Sequence, residues 1–187
     1  MKFEEVEGAL EKIEGKPIVL FTVSSKHYAE FNFYLLKIFV EKKGYGGIYV
    51  TINMPYKVLI KKLEKHGIPT GNIQFIDVIT KFVAWDTVDT PNCHFISNPT
   101  DLTGIGISID HAAENFKDKD TILFLDSLST LFIYNHAHDV TRFMHFLISK
   151  LRIHNIGAVF ITVEEDIDSG VMSTIFQLCD RIIPVEF

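Results

Sequence analysis

The chain has 187 residues, 47% of them hydrophobic and 16 of them phenylalanine, with a formal net charge of −6. That length suits one domain over residues 1–187, with enough apolar material for a core on two faces. Acidity disfavours phosphate backbones, no apolar run approaches the ~18 residues of a membrane span, and Met1–Glu5 lacks signal-peptide character, so a cytoplasmic protein with neither nucleic-acid nor membrane partners is expected.

Short apolar runs alternate with helical patterns along the chain. Pro17–Val23 is nearly all apolar, as a strand buried on both faces should be. A helix is predicted from about His27 to Lys43, with Phe31, Leu35, Ile38 and Phe39 at helical spacing and Gly44 as a stop. A second strand follows at Gly47–Ile52, then a helix from about Pro55 to His66, where proline sits harmlessly near the first turn. Ile73–Asp77 reads as a third strand. The segment 80–100 is less regular, with Trp85, a short strand at Cys93–Ile96, and turn residues Pro91, Asn92, Asn98 and Pro99.

Further helices are predicted at Asp101–Phe116, Asp139–His154 and Ser169–Leu178, with strands at Thr121–Asp126, Gly157–Val163 and Arg181–Phe187. Strands alternating with helices imply parallel βαβ units, whose crossovers cover both faces of a sheet. The expected fold class is α/β, a three-layer αβα sandwich on a mostly parallel sheet.

Ile122-Leu123-Phe124-Leu125-Asp126-Ser127-Leu128-Ser129 resembles the Walker B strand of RecA-superfamily ATPases, most closely that of the KaiC-like branch. Gly47 to Pro55 is similar to the strand that ends in catalytic glutamates in those proteins. Gly157–Val163 is similar to the strand after Walker B, and Leu178–Ile183 to the family's helix-to-strand exit. The resemblance spans nearly the whole chain and implies a RecA-like sheet.

The same resemblance marks where the family's chemistry is missing. A P-loop needs glycines that let backbone N–H groups close around phosphates, a lysine for the β/γ-phosphates and a hydroxyl for Mg²⁺. Its positions fall near Val23, Tyr28, Ala29 and Glu30, in a loop that reads Thr22-Val23-Ser24-Ser25-Lys26-His27-Tyr28-Ala29-Glu30, and no glycine occurs between Gly15 and Gly44. The catalytic-glutamate positions fall at about Asn53 and Met54, neither of which is a general base. The chain thus resembles a degenerate, archaeal-type pseudo-ATPase. Asp126 matches the Walker B aspartate, or else is a strand-end carboxylate accepting from nearby loop N–H groups, while Ser127 and Ser129 read as loop and helix-cap residues.

Other groupings are weaker. Lys57, Lys61, Lys62 and Lys65, with Glu64 among them, form either a basic patch or a solvated helix face. His136, His138, Asp139 and His145 are the densest metal-type cluster, but Asp139 also suits a helix N-cap, and no metal is expected. Gly104-Ile105-Gly106 does not follow a strand, and a local helix irregularity is its better reading. Cys93 and Cys179 have no metal or redox spacing and read as free thiols. Phe82, Trp85 and Phe95 are partner anchors if exposed and core if buried.

The function this implies is a non-catalytic RecA/KaiC-like module working by protein–protein association, as a homo-oligomer or in complex with a related active ATPase, and without a cofactor. The alternative is a protein that binds a nucleotide or phospholigand through an altered strand-to-helix loop, with Ser24, Ser25, Lys26, His27 and Asp126 as its residues.

Overall fold

The computed structural model describes residues 2, 5–11, 15–84, 90–163 and 169–186. Seven strands, β1 (Ile18–Val23), β2 (Gly46–Thr51), β3 (Ile73–Asp77), β4 (Cys93–Phe95), β5 (Thr121–Asp126), β6 (Gly157–Val163) and β7 (Arg181–Val185), form one sheet in the order β4-β3-β2-β5-β6-β1-β7. Every strand pair is parallel. A parallel sheet covered on both faces needs strands apolar on both sides, and β2 and β5 are buried at every position.

Successive side chains alternate between two cores. Leu20, Ile48, Val50, Leu123, Leu125, Ala158 and Phe160 pack beneath α5 (Leu102–Glu114), α6 (Leu128–Tyr134), α7 (Ala137–Ile153) and α8 (Ser169–Leu178). Val19, Phe21, Tyr49, Phe75, Phe124, Val159 and Ile161 pack beneath α1 (Val6–Glu11), α2 (Tyr28–Leu36) and α3 (Tyr56–Lys65). The three-layer α/β expectation stands, and the sheet is parallel throughout.

The predicted strands match to within a residue or two, but α1 and the short α4 (Thr80–Val83) were not anticipated, and four further helical details differ. The helix after β1 widens into a π-helical stretch at Lys37–Lys42, which lets the consecutive residues Ile38, Phe39 and Val40 all be buried, before Gly44 ends it at φ +70°. Helix α6 fills a stretch read as loop; the Ser127 side chain caps it by accepting from Thr130 N–H. Helix α7 starts two residues earlier than expected, so Asp139 lies in its first turn and His136 is its N-cap residue, without a side-chain cap bond. Helix α5 runs unbroken through Gly104 and Gly106, so the expected irregularity is absent; Asp101 caps it by accepting from Gly104 N–H.

The connections place a crevice. From β2 the chain leaves through α3 toward β3 on one face, while from β5 it leaves through α6 and α7 toward β6 on the other. At such a switch point the adjacent carboxyl ends are left uncovered by crossing helices, and ligands of α/β sheets gather there. Thr51 and Asp126, the last residues of β2 and β5, are register partners at that point.

Candidate crevice at the carboxyl ends of β2 and β5

Asp126 has the same alternation parity as Ile122 and Phe124, so its side chain lies on the α2–α3 side of the sheet, the side of Tyr49. Tyr49 pairs with Phe124, two residues short of Asp126. A tyrosine is long enough to cover that diagonal, and the Tyr49 hydroxyl donates to Asp126 Oδ2. Its ring is held by Phe124 at 6.1 Å and Phe75 at 5.9 Å. Behind it, Asn32 of α2 donates from Nδ2 to the Tyr49 hydroxyl at 2.5 Å, while the buried Asn32 Oδ1 has no hydrogen-bond partner among the described residues.

The second oxygen of Asp126 is also engaged. Asn53, just past β2, donates from Nδ2 to Asp126 Oδ1 at 3.1 Å, and the same amide nitrogen lies 2.9 Å from the Tyr28 hydroxyl and 3.3 Å from Ser127 Oγ. Thr130 Oγ1 donates to Asn53 Oδ1. Asn53 therefore ties the first residue of α2, the end of β5 and the first turn of α6 together. Ser129 is buried inside α6 rather than capping it, and its Oγ accepts from Val163 N–H at 3.3 Å, fastening α6 to the end of β6.

Asp77, at the end of β3, has the environment first expected for Asp126. It accepts from the backbone N–H groups of Tyr56 (2.7 Å), Ile79 (2.9 Å) and Thr80 (2.7 Å). The donors to Asp126 are instead side chains from β2 and from the turn after it, which corrects the loop N–H reading. Burial pushes the Asp126 carboxyl from the ordinary 3.8 up to about 8, against the pull of its two donors, which favour the charged form. Burial also raises Tyr49, which stays a protonated donor.

The turn between β1 and α2 holds the remaining sequence-predicted site residues, Ser24, Ser25, Lys26 and His27. It is closed by His27 N–H donating to Ser24 O at 3.1 Å. Ser25 and Lys26 are exposed, Ser24 and His27 half-buried, and His27 offers no side-chain cap to α2. β6 separates β1 from β5 in the sheet, and Tyr28, the residue after this turn, is linked to Asp126 through Asn53. Glu30 is exposed in the first turn of α2, whereas Asn53 faces the crevice.

Sequence reasoning missed Tyr49, Asn32, Tyr28 and Thr130. The signal available was parity: a tyrosine two residues before the end of a fully buried strand, on the face of a strand-end aspartate, needs a hydroxyl partner. Among the other candidates, Phe95 is buried against Tyr56, Phe82 is half exposed with its ring edge-on to Tyr134 at 5.8 Å, and Trp85 lies outside the described residues. The four lysines of α3 lie on its exposed side, opposite Leu59 and Leu63. Among the described residues no group of three His, Cys, Asp or Glu stands close enough to hold a metal. Both cysteines are free; burial raises both thiols, Cys179 to about 12, so neither is a ready nucleophile. No described helix is long and apolar enough to cross a membrane.

The fold is similar to three solved archaeal structures, all of low sequence identity. An uncharacterised Pyrococcus horikoshii protein, PH0321, solved in complex with an unknown peptide, is 14% identical with a TM-score of 0.73, covering 98% of this chain and 84% of that one. Flagellar accessory protein FlaH from Methanocaldococcus jannaschii is 13% identical with a TM-score of 0.65, covering 98% and 77%. The KaiC-like protein PH0186 of P. horikoshii OT3 is 12% identical with a TM-score of 0.63, covering 91% and 72%. The architecture is therefore RecA/KaiC-like. No protein of curated function matches the chain. The model of the family of unknown function DUF7504 matches residues 68–185, more than half of the sequence, and the chain belongs to that family.

Proposed function

We propose that this chain is a non-catalytic RecA/KaiC-like module that acts through protein–protein association, as a homo-oligomer or as the scaffold or regulatory partner of a related active ATPase. The observation that carries this reading is the occupation of Asp126 by the chain's own side chains. Its two oxygens already accept from Tyr49 and Asn53. Each of those bonds takes one acceptor site of the carboxyl and leaves fewer for a hydrated metal, and displacing Tyr49 would strand a buried hydroxyl, which is costly.

The residues present do not fit a magnesium triphosphate. Only four residues, Ser24–His27, connect β1 to α2, and none is glycine. A turn of that length and composition offers no run of converging N–H groups for phosphates. Asn53 and Met54 supply no base for water. A fold neighbour solved with a peptide bound is consistent with association as a mode of action.

Sedimentation velocity at rising protein concentration, with and without ATP–Mg²⁺, tests the reading. The expected result is an oligomer, or a complex with a related ATPase, whose size ignores ATP. A strict monomer that forms no such complex would remove it.

One observation favours a second reading. Exposed Ser25 and Lys26 stand at an α2 N-terminus that has no side-chain cap, and such a terminus attracts anions. A phospholigand bound there would be lost on substituting Ser25→Ala and Lys26→Ala; unchanged affinity would remove that site.

A further inference from the structure

The hydrogen bonds around Asp126 have a direction, and that direction depends on whether the carboxyl carries a proton. In the structure both oxygens accept, Oδ2 from the Tyr49 hydroxyl and Oδ1 from Asn53 Nδ2. This pattern suits a carboxylate, which can only accept. A carboxylic acid has one hydrogen to give, so one of the two neighbours must turn an acceptor toward it.

The neighbours differ in their freedom to do so. If Tyr49 accepted from Asp126, its own hydrogen would need another acceptor, and the polar side chain beside it is Asn32, 2% exposed. Turning the Asn32 carbonyl toward Tyr49 would move the amide NH₂ to where Oδ1 finds no partner among the described residues. One buried acceptor without a partner would be exchanged for buried donors in its place, which is no gain.

Asn53 is different, because its other partners are hydroxyls. Nδ2 lies 2.9 Å from the Tyr28 hydroxyl and 3.3 Å from Ser127 Oγ, and Oδ1 accepts from Thr130 Oγ1. A hydroxyl donates or accepts as required. After a half-turn of the amide, Oδ1 accepts from Asp126 and Tyr28 while Nδ2 donates to Thr130 Oγ1. The Thr130 hydrogen then goes to Ser127 Oγ, 2.9 Å away. The cluster keeps its bonds, each in the opposite sense, and the rotating side chain is exposed.

We propose that Asn53 is a proton-linked switch at the mouth of the crevice, turning its amide through a half-turn as Asp126 gains or loses a proton. With Asp126 ionised, Tyr28 accepts from Asn53 and presents its own hydrogen to a partner's acceptor. With Asp126 protonated, that hydrogen is given to Asn53, and the mouth presents a lone pair instead. The switch operates in the free protein and does not rest on the association reading.

Burial, which raises the Asp126 pKa to about 8, brings the change within reach of ordinary buffers. Tyr49 of β2 and Tyr28 of α2 are the titratable side chains bonded into the cluster. β6 brings no titratable group, and α6 brings Tyr134 at its far end. Glu30 is exposed in the first turn of α2, Lys26 and His27 stand in the turn before it, and Asp77 lies beyond β2 at the end of β3. Among the described residues no charged side chain pairs with Asp126.

NMR of the whole chain tests this, following the Asn53 NH₂ group and the Asp126 carboxyl carbon from about pH 5 to about pH 9.5. At high pH the NH₂ protons should show Overhauser contacts to the Tyr28 ring and the Ser127 β-protons. At low pH these should give way to contacts with Thr130, with the midpoint of the carboxyl. In Asp126→Asn the contacts should not change with pH. In Asn53→Leu, at an exposed position, Asp126 should still titrate while the accompanying shift of the Tyr28 ring is lost. Contacts that stay constant while the carboxyl titrates, or an exchange that persists in Asp126→Asn, would overturn the proposal. So would an exchange at Asn32 instead, a Tyr28 shift undiminished in Asn53→Leu, or a carboxyl that does not titrate in this range.

Discussion

Tyr49, Asp126 and Asn32 form a buried polar line running from β2 and β5 into α2, and its energetics follow from what each atom can do. Tyr49→Phe deletes the donor to Asp126 and leaves both that oxygen and the Asn32 amide short of a partner. A loss of about 2 kcal/mol in denaturant unfolding is expected. An unchanged midpoint would mean that the hydroxyl does not hold the carboxyl.

The pH dependence has a definite sign. A carboxyl raised by burial from 3.8 to about 8 keeps its proton in the folded state over a range where the unfolded chain has released it. Its contribution to stability is therefore full below about pH 4 and is lost as pH rises toward about 8. Relative to Asp126→Asn, the parent should lose stability between pH 5 and 8, and a flat difference curve would contradict this. Asp126 itself was legible in the sequence because it ends a sharply apolar strand. Its partners were not, because they come from positions 77 and 73 residues away, and only the β2–β5 register brings them together.

At the scale of elements, the strands were readable because burial on both faces leaves almost no polar residue inside them. Helix α6 was not: its residues are largely apolar, with two aromatics and two β-branched side chains, and they show no polar face. Its formation rests on the Ser127 cap and on burial of Leu128 and Leu131. The long connection between β4 and β5 depends on another local detail. Asp101 Oδ1 accepts from Gly104 N–H at 2.8 Å, and a Cβ at Gly104 would lie 2.2 Å from Asp101 Oδ2.

Gly46 shows the same close approach at the start of β2. A Cβ there would fall 2.5 Å from the Phe116 ring, two residues past the end of α5. Gly46→Ala should cost about 1–3 kcal/mol through overpacking. Adding Phe116→Leu should return part of that loss. If the double variant is no more stable than Gly46→Ala alone, the ring is not the obstacle.

On the scale of the whole molecule, strand order decides where chemistry could occur. The switch between β2 and β5 leaves a crevice at their carboxyl ends, and in this chain Tyr49, Asn53, Ser127 and Thr130 knit it together. The sequence made the sheet legible and showed that the β1–α2 turn has no glycine. It could not show that side-chain hydrogen bonds cross the crevice, nor that the exposed apolar groups Ile107 and Phe146 line one hollow beside α5 and α7, because both depend on packing between distant segments. The four-residue β1–α2 turn and the occupied Asp126 are the basis for reading this RecA/KaiC-like fold as non-catalytic. The measurement to make is calorimetric titration with ATP and Mg²⁺ of the parent and of Asp126→Asn. The predicted result is no binding heat from either protein; micromolar binding by the parent that weakens in Asp126→Asn would contradict it.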